Sequence, residues 1–152
     1  MVKSDIILQP CLIKIRNLLI RDGKKSKADR LLVSTFSFLE KSYPGESRSI
    51  FYRAISNVQP IVGVRLKERR GRKKTSNKVS YLPYSISAAR SQNIGIRSLI
   101  KASRRHSSKL YYINLAEEFI LASQFKGQAI KIKLHIHELA KKNSDFSHFR
   151  WN

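Results

Sequence analysis

Apolar residues recur at helical spacing along most of this chain and switch once to strict alternation. Over Pro10–Arg21 they fall at Leu12, Ile15, Leu18 and Leu19, which predicts a helix stopped by Gly23. From Ser26 a second helix is predicted through Ala28, Leu31, Leu32, Thr35, Phe36 and Leu39, broken at Ser42–Pro44–Gly45. A third begins near Glu46, turns Ile50, Phe51, Ala54, Ile55 and Val58 inward, and ends before Pro60. Val62, Val64 and Leu66 then alternate with Gly63, Arg65 and Lys67, the period of a strand. A second alternating run spans Val79–Ile86, where Pro83 implies an edge strand. Helical spacing resumes near Ser91 with Ile96, Leu99, Ile100 and Ser103 in one stripe. Ser107 or Ser108 is the expected cap of a further helix that Gly127 closes. The last helix runs from about Gln128 to Lys142, with Ala129, Ile132, Ile136, Leu139 and Ala140 on one face. The expected fold is mainly α: one domain over residues 1–152, a bundle of about six helices with a protruding two-stranded hairpin arm at about 61–86.

Charge changes the picture from a plain bundle to a polyanion binder. Thirty-one Lys and Arg face ten Asp and Glu, a net charge of +21 on 152 residues. A compact domain with that excess repels itself until an anionic partner arrives, and nucleic acid is the commonest. The excess is clustered. Arg65, Lys67, Arg69, Arg70, Arg72, Lys73, Lys74 and Lys78 crowd the arm against one acid, Glu68. Lys24, Lys25 and Lys27 sit at the first helix junction. Arg97, Lys101, Arg104 and Arg105 stand at i, i+4, i+7 and i+8, a basic face beside an apolar stripe. A single lysine is most simply a solvated surface residue, but ordinary surfaces intersperse the two signs. A basic helix face, a basic junction and a basic arm together are the footprint of phosphate contacts. A lone hairpin is marginal in water, so the arm is expected to gain its order from what it touches.

Other chemistry finds little support. The acids are scattered, and Glu117 and Glu118 are adjacent, so they point apart on a helix. His135 and His137 are also two apart in a helical segment and do not converge on a metal. Gly23-Lys-Lys-Ser26 lacks the earlier glycine and the preceding strand of a nucleotide loop. Cys11 alone excludes an intramolecular disulfide framework and a cysteine zinc site. Tyr81 and Tyr84 are placed either to stack on bases or to pack the root of the arm, and packing is the simpler role. No apolar run approaches the roughly 20 residues of a membrane span, and the helix stripes are sized for a core, not for an interfacial membrane helix. No enzyme, cofactor, metal or small-molecule substrate is expected.

Five segments resemble a known family, small-subunit ribosomal protein seven. Asp22-Gly-Lys-Lys-Ser26 is similar to its first helix junction. Ala54-Ile-Ser-Asn-Val-Gln-Pro60 followed by Val62-Gly-Val64 resembles its third helix entering the hairpin. Arg97-Ser-Leu-Ile-Lys-Ala-Ser-Arg-Arg105 resembles its fourth helix. Leu115-Ala-Glu-Glu-Phe119, Lys126-Gly-Gln-Ala-Ile-Lys131 and Ile136-His137 resemble the fifth and sixth. Phe146-Ser-His-Phe-Arg-Trp151, with His148, Arg150 and Trp151, is the most specific match. The likeness runs in order from about Leu12 to Trp151.

The resemblance implies a structural protein that binds the 3′ major domain of small-subunit rRNA and nucleates assembly of the subunit head. It adds Lys126, Lys131 and Lys133 to the expected rRNA-binding residues. It implies an arm directed toward the exit-site tRNA and the mRNA exit path, and small-subunit ribosomal protein eleven and other head proteins as neighbours. A non-ribosomal RNA binder is the alternative, with the same charge but no reason to carry the Phe146–Trp151 motif. The chain departs from the family in three places: a nearly missing basic N-terminal extension, Gly71 alone near the hairpin tip where a glycine pair is usual, and Ser98 where the fourth helix usually has tryptophan. With the Phe-Arg-Trp motif, these resemble mitochondrial members. Richness in Ile and Lys and an N-terminus unlike a transit peptide imply an organelle-encoded protein of the mitochondrial matrix. A plastid or the bacterial cytoplasm remains the alternative.

Overall fold

The computed structural model describes residues 10–68 and 79–151. Six helices run in the order α1 (Pro10–Leu19), α2 (Lys25–Ser42), α3 (Ser47–Val58), α4 (Ala88–Ser103), α5 (Tyr111–Ser123) and α6 (Gln128–Lys142). Strands β1 (Val62–Glu68) and β2 (Val79–Ser85) interrupt them between α3 and α4, and a short 3₁₀ helix, Ser144–Trp151, follows α6. The mainly α bundle with a two-stranded arm is the architecture the spacing predicts.

Junctions follow from local backbone chemistry. Asp22 and Gly23 both adopt positive φ, 52° and 71°, which reverses the chain between α1 and α2. Phe125 ends α5 in the same left-handed region at φ 58°. There Lys126 N–H donates to Leu121 O at 2.8 Å and closes the last turn. Tyr43 opens the α2–α3 connection and Gly45 turns it at φ 78°, where Gly45 N–H donates to Glu40 Oε1 at 2.9 Å.

The core is one continuous cluster drawn from every helix. Phe51 stacks edge-on against Phe119 with ring centroids 5.4 Å apart and tilts against Phe36 at 5.3 Å. Ile15, Leu39, Ala54, Val58, Ile96, Leu99 and Leu115 fill the space around them. The α4 stripe of Ile96, Leu99, Ile100 and Ser103 is buried as expected. On α6 the buried side chains are Ala129, Ile130 and Ala140, while Ile132, Ile136 and Leu139 are only half-buried.

Some boundaries differ from expectation. α4 starts at Ala88, three residues before Ser91, because Ser87 turns extended and the Ala88-Ala89 pair carries the helix backwards. α5 starts at Tyr111 behind Leu110, not behind Ser107 or Ser108. Asn114 ties the preceding loop instead, its Nδ2 donating to Ser108 O at 3.1 Å and His106 O at 3.4 Å. The 3₁₀ helix has no apolar period to announce it. It lies along β2.

The arm pairs Val62 with Ser85 through Glu68 with Val79, antiparallel and in unbroken register. Its inner half is not free-standing. Gly63, Leu82 and Pro83 are buried, and Val62 and Pro83 meet His137, Ala140 and Ser144 in one depression. The arm therefore contributes more burial at its root than its polar composition suggests.

Candidate nucleic-acid interface

α4 presents its charge as a stripe. Arg97 and Lys101 are exposed on the helix, and Arg104 and Arg105 are exposed at its C-terminal turn, since the helix proper ends at Ser103. Among the described residues none of the four forms an ion pair. Glu117 and Glu118, the nearest acids in sequence, are engaged by His106 instead. His106 Nε2 lies 2.8 Å from Glu118 Oε2, and Nδ1 lies 3.5 Å from Glu117 Oε2. Among the described residues the basic face is thus left without an internal counter-ion.

Arg90 extends this stripe and was not among the residues singled out from sequence. It stands seven residues before Arg97, on the same face of a helix with 3.6 residues per turn. Starting the helix at Ser91 hid it. Arg104 stands fourteen positions after Arg90, and a rise of 1.5 Å per position makes a track of about 21 Å.

At the α1–α2 junction Lys24, Lys25 and Lys27 are exposed, with Lys24 Nζ 3.7 Å from the still more exposed Asp22 carboxylate. Lys126 and Lys131 are exposed around the start of α6. Lys133 is turned inward. Its ammonium donates to Asn57 O at 2.7 Å, and burial lowers its pKa from the ordinary lysine value. Of the arm residues, Arg65 is exposed with its guanidinium 5.6 Å from the Tyr84 ring centroid. Arg90 approaches the same ring at 5.5 Å. Tyr84 therefore packs the arm's root. Lys67 lies in β1 with its side chain outside the described residues, as are Arg69, Arg70, Arg72, Lys73, Lys74 and Lys78 entirely. His148, Arg150 and Trp151 lie on the 3₁₀ helix, their side chains likewise outside.

One carboxylate is buried although its acidic neighbour in sequence is not. Glu118 has no exposed surface. Its Oε1 accepts from Ala129 N–H at 2.8 Å, the first turn of α6, where the helix dipole favours an anion. Gly127, at φ 92°, makes room, since a Cβ there would stand 2.8 Å from Glu118 Oε1. The signal was present in Leu115, Phe119 and Ala122. Glu118 lies at i+3 from Leu115 and i–4 from Ala122, on the apolar face and not beside Glu117 in solvent.

His135 is exposed, and His137 accepts from Ile61 N–H at 3.3 Å through Nε2. Burial, then the nearby Lys133 charge, lowers the His137 pKa. Among the described residues no group of His, Cys, Asp and Glu converges on a metal site, and no helix is long and apolar enough to cross a membrane.

The family model for ribosomal protein S7p/S5e matches residues 3–144. The chain belongs to this family. A small ribosomal subunit protein uS7 of Mycoplasmopsis agalactiae is 34% identical over 151 residues, covering 99% of this chain and 93% of that protein. The uS7 proteins of Pseudothermotoga lettingae and Nitrosomonas europaea are 29% and 33% identical, covering 99% and 92% of this chain and 90% and 86% of their own lengths. The family role is structural, within the small ribosomal subunit, and not enzymatic.

Proposed function

We propose that this protein binds the 3′ major domain of small-subunit rRNA, nucleates assembly of the head, and directs its arm toward the exit-site tRNA and the mRNA exit path. The observation that carries this reading is the α4 face of Arg97, Lys101, Arg104 and Arg105, exposed and without an acid partner among the described residues. Folded RNA is recognised largely by shape and phosphate position, and a rigid helix with spaced cations suits that task. Lys24, Lys25, Lys27, Lys126 and Lys131 extend the positive surface. Lys133 supports the α3–α6 contact through Asn57 and contributes charge from behind. Small-subunit ribosomal protein eleven and other head proteins are the neighbours this reading carries.

The ribosome in question is, on this reading, mitochondrial and the protein organelle-encoded. The Phe-Arg-Trp motif and the Ile and Lys richness support it. The relatives named above are bacterial, which favours a bacterial cytoplasm as the competing location. Chemical footprinting of the 3′ domain transcript with and without the protein tests the binding. Protection confined to head helices is expected. Protection of another domain, or of none, overturns the assignment. Sedimentation with mitochondrial or with cytoplasmic small subunits separates the locations.

A further inference from the structure

Two cationic heads from separate elements converge on one aromatic ring. Arg65 comes from β1 and Arg90 from the first turn of α4, at 5.6 Å and 5.5 Å from the Tyr84 centroid. A ring face attracts each guanidinium through its quadrupole, but it carries no net charge and cannot neutralise either one. The two heads lie at most about 11 Å apart and repel each other. Neither pairs with a carboxylate among the described residues, and the first turn of α4 holds no acid. Tyr84 itself is fixed. It faces Gly63 across the ladder, so closely that a Cβ on Gly63 would meet Tyr84 Cζ at 2.8 Å. The ring thus holds two exposed guanidiniums, without a carboxylate partner among the described residues, at the point where the arm leaves the bundle.

We propose that Arg65 and Arg90, positioned by Tyr84, form a binding site for a single phosphodiester group of the bound RNA. The site rests on the rRNA-binding reading above and adds Arg90 to it. Guanidinium forks match phosphate oxygens and make short charge-assisted hydrogen bonds. One phosphate shared between the two heads would remove their mutual repulsion. It would also tie strand β1 and helix α4 to the same RNA group, joining the α4 stripe to the arm. The ring's part is positioning, since it holds the heads before RNA arrives and lowers the entropy lost on binding.

The test uses the full chain and a 3′ domain transcript, with Arg65→Gln, Arg90→Gln, the double variant, Tyr84→Phe and Tyr84→Leu. Each single arginine variant should weaken binding by roughly tenfold to a hundredfold at moderate salt. The double variant should lose scarcely more than either single one, and its salt slope should shrink by about 0.7–0.9, the value for one phosphate. Tyr84→Phe keeps the ring and should bind as wild type. Tyr84→Leu should weaken binding with the charge count unchanged. Additive losses in the double variant would mean two separate phosphates and overturn the shared site. Melting temperatures that fall while binding holds would make the three residues a structural clamp only, which also overturns it. Inorganic phosphate serves as the second probe. If millimolar phosphate stabilises the wild type but not the double variant, while RNA affinity is the same in both, the site takes the free anion and the RNA assignment is wrong. Lys101→Gln with Arg104→Gln in parallel distinguishes the two levels. If that pair alters the slope and the arginine variants do not, only this site fails. If none alters it, the rRNA-binding reading itself has failed.

Discussion

A carboxylate removed from water must be matched by donors, and Glu118 is matched by the Ala129 amide and by His106. Glu118→Ala leaves that buried amide orphaned, an expected loss of about 1–3 kcal/mol before packing is counted. Urea denaturation checks it, and a variant as stable as wild type would show that the α6 terminus finds another acceptor. His137 offers a pH test. Its Nε2 accepts from Ile61 N–H, which requires the unprotonated ring, and its folded pKa is depressed by burial and by Lys133. The unfolded chain therefore binds the proton first as pH falls. The contribution to stability is complete above the ordinary value near 6.5 and declines as pH drops from there toward the lower folded pKa. Denaturant midpoints at pH 7.5 and 5.5 should separate more for wild type than for His137→Gln, whose amide oxygen still accepts at both. Equal separations would remove His137 from the pH response. The divergence of His135 and His137 on a helix is legible in their spacing, whereas the contact His137 makes is not, because Ile61 is 76 residues away.

At the scale of elements, helix spacing revealed most boundaries, since the core sorts residues by face before any partner is known. α6 runs from Gln128 to Lys142 as the Gly127 signal and the apolar period require. α4 begins at Ala88, three residues ahead of the first position its apolar period marks, and Arg90 lies in that extra stretch, where no stripe is visible from spacing. Whether the α4 cations serve RNA or internal pairing is decided by substitution. Replacing Lys101 and Arg104 with Gln keeps helix propensity nearly intact. Thermal stability should hold or rise slightly as self-repulsion eases, while the salt slope of rRNA binding shrinks by roughly one to two units. Leu99→Ala is the contrasting change at a residue 1% exposed. It should cost about 2–5 kcal/mol and leave the slope alone. Destabilisation of the Gln variant without loss of binding would retire the RNA face. The arm divides differently than its composition suggests. Replacing residues 69–78 with a short turn should leave the helical circular dichroism unchanged, whereas a deletion reaching Leu82 and Pro83 removes buried surface at the root and should lower the melting temperature.

For the whole molecule the governing quantity is +21 on 152 residues. The sequence displays that number, but not whether the charges cancel locally in the fold. Of the described lysines and arginines only Arg16 and Lys24 lie within 4.0 Å of a carboxylate, so the excess stands outward. An outward excess on the free protein has two consequences of opposite sign with salt. Screening relieves self-repulsion, so the isolated protein should melt higher as salt rises from low values. Screening also removes the entropy gained when RNA releases its condensed counterions, so the complex should weaken over the same range. If about 6–10 phosphates are neutralised, affinity falls by roughly 10³–10⁵ between 50 and 200 mM monovalent salt on the duplex scale. The two measurements belong together, because a protein losing its fold at higher salt would also lose affinity. Melting curves and filter-binding titrations across one salt series separate the causes. A rising melting temperature beside a steeply falling association constant is the expected pair. A flat association constant would mean that shape and neutral contacts hold the RNA, and the exposed arginines and lysines would then be surface charge without a phosphate to meet.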